Sequence, residues 1–212
     1  MINKLRQPIS GLSHLLGAVL AFIGLIVLII KGWGDTTRVI SYLIYGISLI
    51  LMFSASAIYH LTSLSEKGQL LLRKMDHLSI YLLIAGTYTP ICLLFFSGFW
   101  RTGLLIIIWS MALIGIIVKL FVINAPRWVT AGIYLIMGWL CIMAVGEMLR
   151  TMSPAAIAWL LIGGVLYSVG AIIYITKKLD FIPGIFGFHE IWHIFVLLAA
   201  ASHWLMIAMF TT

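Results

Sequence analysis

The sequence predicts an all-α, polytopic membrane protein of seven transmembrane helices, and three observations carry that expectation. Hydrophobic residues make up 63% of the 212-residue chain and charged residues only 9%; the mean hydropathy of +1.17 lies far above that of soluble domains. Seven apolar runs of about 20 residues follow one another, the length at which a helix crosses the hydrocarbon layer with its backbone amides satisfied internally. The connections are short and polar or marked by Gly and Pro, as in "KGWGDTTR", "TSLSEKGQ", "NAPR" and "RTMSP". Residues 1–212 therefore form a single seven-helix domain, with no room for a soluble one.

The first run, 12–31, is too long for a signal-peptide core, ends at Lys31 and lacks a small-residue cleavage site, so it stays as helix one. The second, 38–60, ends on "SASAIYH", and the third, 77–97, follows "RKMDHLSIY". Runs 101–123, 128–148 and 154–176 come next, and 189–210 opens with "HEIWHIF". Trp33, Trp100 and Trp128 at run ends fit an interfacial aromatic belt. No coiled-coil heptad, low-complexity tail or internal repeat interrupts this order.

A formal charge of +7 would suit nucleic acid, but the cations are spread over many loops rather than gathered in a patch, so nucleic acid is not a partner. Membrane sidedness accounts for them. Lys4, Arg6, Lys67, Arg73, Lys74, Lys119, Arg127, Lys177 and Lys178 fall on one side, and Lys31, Arg38, Arg101 and Arg150 on the other. The positive-inside rule then places the N-terminus in the cytoplasm and the C-terminus outside, in the cell's inner (plasma) membrane. Cys92 and Cys141 lie within spans without CxxC spacing, which excludes a cysteine zinc site and leaves them as small packing residues.

This orientation assigns a depth to each polar residue. His60 closes helix two at the cytoplasmic face, Asp76 opens helix three there, and His189 and His193 occupy the first turns of helix seven on the same side. Residues four apart on a helix differ by about 40° in direction and about 6 Å in height. His189 and His193 thus present two imidazoles along one stripe, at bidentate metal spacing. With His60 they make three neutral nitrogen donors, a set that suits Zn(II) with a fourth position open, whereas calcium or magnesium wants oxygen.

Duller readings stand beside these. A histidine at a helix end is often an interfacial side chain, and HxxxH also arises as membrane-edge polarity. Ser56, one turn before His60, belongs either to a small-residue surface for helix approach with Ser54, Ala55 and Ala57, or beside the metal's water. Asp76 needs a partner near the hydrocarbon boundary, which is either the metal site, where it would act as general base, or Arg73 or Lys74 in a salt bridge. His77 points about 100° away from Asp76 and reads as interfacial. His14, on the cytoplasmic side of helix one, reads first as a helix-packing hydrogen bond and second as a further member of the site, and His203, about 15 Å further along the helix than His193, cannot share its metal. Lys119 and Glu147 read as interface anchors, and Glu190 as a partner of Lys177 and Lys178.

The stretches "SASAIYH", "DHLSIYLLIAGTYTP", "YLIMGW", "GGVLYSVGA" and "HEIWHIFVL" carry a likeness. The chain resembles the bacterial hemolysin III branch of the progestin and adipoQ receptor family, seven-helix membrane proteins related more distantly to alkaline ceramidases. The resemblance implies an intramembrane zinc site open to the cytoplasm, in which His60, His189 and His193 bind the metal while Asp76 and Ser56 hold its water. Many bacterial members carry an acidic residue upstream of the first-helix histidine, where this chain reads "LRQPISGLSHLLGA".

The function expected from these readings is a zinc-dependent membrane protein that takes a membrane lipid as substrate or ligand. In its enzymatic form it hydrolyses a lipid amide or ester, with Asp76 as proton acceptor and Ser56 orienting the nucleophile or the developing oxyanion. Two other classes stand against it: a receptor or membrane-fluidity sensor in which zinc only pins helices, and a cytolysin. A released cytolysin usually needs a water-soluble form, which this composition does not offer.

Overall fold

The computed structural model describes residues 6–182 and 185–211. Lys4, counted among the N-terminal cations, lies outside the described residues. The helices are α1 (Pro8–Gly32), α2 (Thr36–Leu61), α3 (Glu66–Phe95), α4 (Gly98–Phe121), α5 (Arg127–Trp139), α6 (Val145–Thr151), α7 (Pro154–Thr176) and α8 (Phe188–Phe210), with a 3-10 segment, Leu140–Ala144, joining α5 to α6. Among the described residues these make seven spans long and apolar enough to cross a membrane. Large apolar side chains such as Leu16, Phe22, Ile106 and Ile114 are more than half exposed, which only a lipid environment makes favourable.

Helix starts follow local chemistry. The Asp35 carboxylate accepts from Arg38 N–H at 3.1 Å at the head of α2, and Ser153 Oγ accepts from Ala156 N–H at 3.2 Å ahead of Pro154 in α7. Ser65 caps α3 by accepting from Gly68 N–H. Helix α3 therefore begins at Glu66, and the expectation that Asp76 opens it is corrected: Asp76 sits about 15 Å along the helix axis. Apolarity marks only the part of a helix inside lipid, whereas the capped polar turns "EKGQLLLRK" extend α3 outside it.

The fifth span also departs from the continuous helix expected over 128–148. The Tyr88 hydroxyl of α3 lies 3.0 Å from the Met137 carbonyl and 2.8 Å from that of Gly138, and it accepts from Cys141 N–H at 2.8 Å. In an α-helix Cys141 N–H would bond Met137 directly. The inserted hydroxyl breaks that rung and satisfies the freed groups, and the chain tightens into the 3-10 segment.

Neighbouring helices close a ring in the order α1, α2, α3, α5, α7, α8 and back to α1, and α4 packs on α3. Close approach relies on small residues. At Gly17 of α1, a Cβ would lie 2.7 Å from the Leu197 side chain of α8 and 2.8 Å from Phe53 of α2. At one end of the bundle Lys31 Nζ donates to the Ala208 carbonyl at 2.7 Å, and Tyr42 Oη shares a 2.6 Å hydrogen bond with Thr211 Oγ1. At the other end Gln7 N–H donates to the His60 carbonyl at 3.0 Å. Gln7 and Thr211 thus lie at opposite ends of the bundle.

Candidate metal centre

The ring encloses a cavity of about 430 Å³ whose wall is mostly apolar, with Ile80, Ile84 and Leu135 among its lining. Its polar groups gather where α2 ends and α8 begins. His60, His189 and His193 each offer a ring nitrogen, and these three atoms lie within 4.8 Å of one another. The ring centroids stand 5.0 Å apart for His60 and His189, 4.7 Å for His60 and His193, and 4.8 Å for His189 and His193. Residues from the second and last spans therefore converge as the depth argument expected.

A cation fits this cluster. His189 Nε2 and His193 Nδ1 are buried with no hydrogen-bond partner among the described residues. A buried unsatisfied polar atom costs about 1–3 kcal/mol. Zn–N bonds of about 2.1 Å in a tetrahedral set place nitrogens about 3.4 Å apart, so modest side-chain rotation closes the group on one ion. All its donors are nitrogen, a chemistry suited to zinc and its neighbours among transition metals and unsuited to calcium or magnesium.

His60 is held from behind. Its Nδ1 makes a hydrogen bond with Oε1 of Gln7, a residue the sequence reading passed over because a glutamine before a proline carries no motif. The imidazole itself is buried, at 2% exposure.

Asp76 and Ser56 line the same cavity, but neither belongs to the three-nitrogen group. Ser56 is buried on α2 and shares the cavity wall with Asp76. The alternative salt bridges of Asp76 are not formed: Arg73 donates to Asn124 Oδ1 at 3.2 Å and Lys74 to the Leu120 carbonyl at 2.7 Å. The nearest ionisable contact is His77, whose Nδ1 lies 3.8 Å from Asp76 Oδ2 and 2.8 Å from the Arg73 carbonyl. His77 thus lines the cavity instead of sitting free at the interface.

Other expectations need correction. His14 makes no packing hydrogen bond: both ring nitrogens lack partners among the described residues, and its ring lies against that of His193, with centroids 3.9 Å apart and planes tilted by 42°. Glu190 turns away from Lys177 and Lys178, because the nearer donors are Gly187 N–H at 2.9 Å and Ser10 Oγ at 3.0 Å, which tie α1 to the start of α8. Lys119 does not reach outward; it is buried and donates to Thr130 Oγ1 at 3.1 Å. Glu147 binds Arg150 at 2.7 Å and accepts from Ser97 N–H at 2.9 Å, fastening the start of α4. His203 lies apart, with Nε2 3.1 Å from the Leu160 carbonyl, and Cys92 and Cys141 are buried free thiols, as expected of packing residues.

Comparison with known proteins agrees with the fold. The profile of the family described as "Haemolysin-III related" matches residues 2–204. The chain is 37% identical over 204 residues to the "Hemolysin-3 homolog" of Bacillus subtilis (strain 168), covering 95% of this chain and 92% of that protein. It is 38% identical over 200 residues to "Hemolysin-3" of Bacillus cereus, covering 93% and 88%. A more distant relative is the "Adiponectin receptor protein" of Drosophila melanogaster, 28% identical over 216 residues that make up 91% of this chain and 48% of the receptor. With the family match reaching into all seven spans, the chain belongs to the haemolysin-III-related family of multi-pass membrane proteins.

Proposed function

We propose that this chain is a zinc-dependent membrane protein that hydrolyses an amide or ester bond in a membrane lipid and thereby adjusts membrane lipid composition. The observation that carries the reading is the convergence of His60, His189 and His193 at the polar end of an apolar cavity also lined by Asp76 and Ser56. A cavity of about 430 Å³ lies within the roughly 300–1,000 Å³ range of small-molecule sites. Its mostly apolar wall suits an acyl chain.

His60, His189 and His193 would hold the ion. Zinc bound there supplies a Lewis acid and an acidified water. The chain's own contribution is placement. Asp76, beside but outside the nitrogen group, is the proton acceptor, and it returns the proton to the leaving amine or alcohol. Ser56, on the same cavity wall, would orient the nucleophile or the developing oxyanion. Apolar residues around the cavity keep the acyl chain dry and bring its polar linkage to the histidine end.

In this reading the N-terminus and the histidine end face the cytoplasm, the C-terminus lies outside, and the membrane is the inner (plasma) membrane. The distribution of cations supports that orientation. Two measurements test the function together: zinc content of the purified protein in non-chelating buffer, and release of fatty acid from acyl-amide and acyl-ester lipids. Protein without transition metal removes the reading, and zinc-loaded protein inert toward every such lipid removes its hydrolytic half.

A further inference from the structure

We propose that Gln7 is the positioning residue of the metal centre: its side-chain carbonyl fixes His60 as the Nδ1–H tautomer and leaves Nε2 as the lone pair available to an ion. The inference rests on the metal reading above and adds a residue to it.

Gln7 precedes Pro8 at the start of α1, the position where a side chain ordinarily caps the helix, yet it makes no capping hydrogen bond. Its amide instead reaches His60, 53 residues away, through the bond from Nδ1 to Oε1. The backbone docks in the same place, since Gln7 N–H donates to the His60 carbonyl at 3.0 Å. This completes the last turn of α2, where the Ile58 carbonyl accepts from Thr62 N–H and Oγ1 and the Tyr59 carbonyl from Gln69 Nε2 and Arg6 Nη1. Gln7 also lines the cavity beside His60 and His189.

An imidazole binds metal through the nitrogen that carries no proton, and the bond made by the other nitrogen decides which one that is. With Oε1 accepting, the proton sits on Nδ1 and the ring cannot turn over to present that edge. The opposite amide orientation would put N–H against Nδ1 and drive the proton onto Nε2, abolishing the ligand. A glutamate at this position can only accept and would enforce the same tautomer; a leucine would enforce neither.

Wild type, Gln7→Leu, Gln7→Glu and His60→Ala should be compared by Zn(II) competition against a chromogenic chelator. Histidine-selective ¹⁵N spectra of the metal-free proteins, with the His60 signals identified by their loss in His60→Ala, report the tautomer. We expect Gln7→Leu to bind zinc about 10–100-fold more weakly and to lose the pure Nδ1–H signature. Gln7→Glu should match or exceed wild type in affinity and keep the signature. The backbone bond to His60 survives both substitutions, so both variants should fold, with Gln7→Leu unfolding at a lower temperature in the metal-free state for the side-chain hydrogen bond it loses. Gln7→Leu equal to a zinc-binding wild type overturns the inference and spares the metal reading, and so does Gln7→Glu as weak as Gln7→Leu. Wild type that binds no zinc overturns the metal reading; the inference then fails as a statement about a metal centre, whatever tautomer the spectra record.

Discussion

The Tyr88 hydroxyl stands between the Met137 carbonyl and the Cys141 amide, 3.0 Å from one and 2.8 Å from the other, in place of a helical rung. Tyr88→Phe removes the hydroxyl and strands those backbone groups where lipid offers no substitute. The expected cost is about 1–3 kcal/mol, read as a lower unfolding midpoint in detergent. Unchanged stability would mean that the segment recloses into a regular helix, and loss of protection from hydrogen exchange at Cys141 would show that it does not.

Gly17 sits where α1, α2 and α8 meet, with space for hydrogen only. Gly17→Val should push Phe53 and Leu197 apart at an expected cost of about 1–3 kcal/mol. Because the His14 and His193 rings lie against each other one turn away, the same variant should loosen zinc binding. Gly132→Val makes a suitable control, as a Cβ there meets nothing within 4 Å. Equal destabilisation of both variants would mean that helix propensity rather than close packing sets the cost.

The membrane class and the histidine cluster were legible in the sequence because both depend on periodicity and depth. Seven apolar runs set the spans, and an alternating direction of crossing brought His60 and His193 to one level. What stayed hidden depended on partners remote in sequence. Nothing near Met137 announces that a tyrosine 49 residues earlier will break its helix. Gln7 and His60 meet only once α1 docks on the last turn of α2. Ser65, by contrast, was readable as a helix cap, but a search by apolarity discards the polar turns that follow it. Lys119 was assigned to the headgroups on the rule for long cations, and the nearby Thr130 hydroxyl overrode that rule.

Sidedness is open to direct measurement. On the positive-inside rule, Arg6, Arg73 and Arg127 are expected at the inner face. A reporter active only outside the cytoplasm should work when fused after Phe210 and fail when fused ahead of α1. The reverse pattern would put the histidine end of the cavity outside the cell, where any lipid substrate would come from the outer leaflet.

The histidines should behave as one unit. His189→Ala with His193→Ala removes two of three nitrogen donors, and zinc content should fall from about one ion per chain to a trace by elemental analysis. His203→Ala should retain the full complement, because its ring is engaged with the Leu160 carbonyl away from the cluster. Equal zinc in the double variant and wild type would place the ion elsewhere in the molecule.

Asp76 separates a hydrolase from a receptor. It stands outside the nitrogen group but lines the same cavity, so Asp76→Asn should leave zinc content unchanged. Proton transfer by a positioned side chain contributes about 10²–10⁴-fold to rate, and lipid hydrolysis should fall by that order. Ser56→Ala, which removes a hydroxyl from the cavity wall and leaves the proton acceptor in place, should lose less, on the order of 10-fold, as expected for one orienting hydrogen bond to the reacting groups. Turnover of Asp76→Asn at the wild-type rate would take Asp76 out of the chemistry, while loss of zinc from that variant would make it a partner of the ion itself.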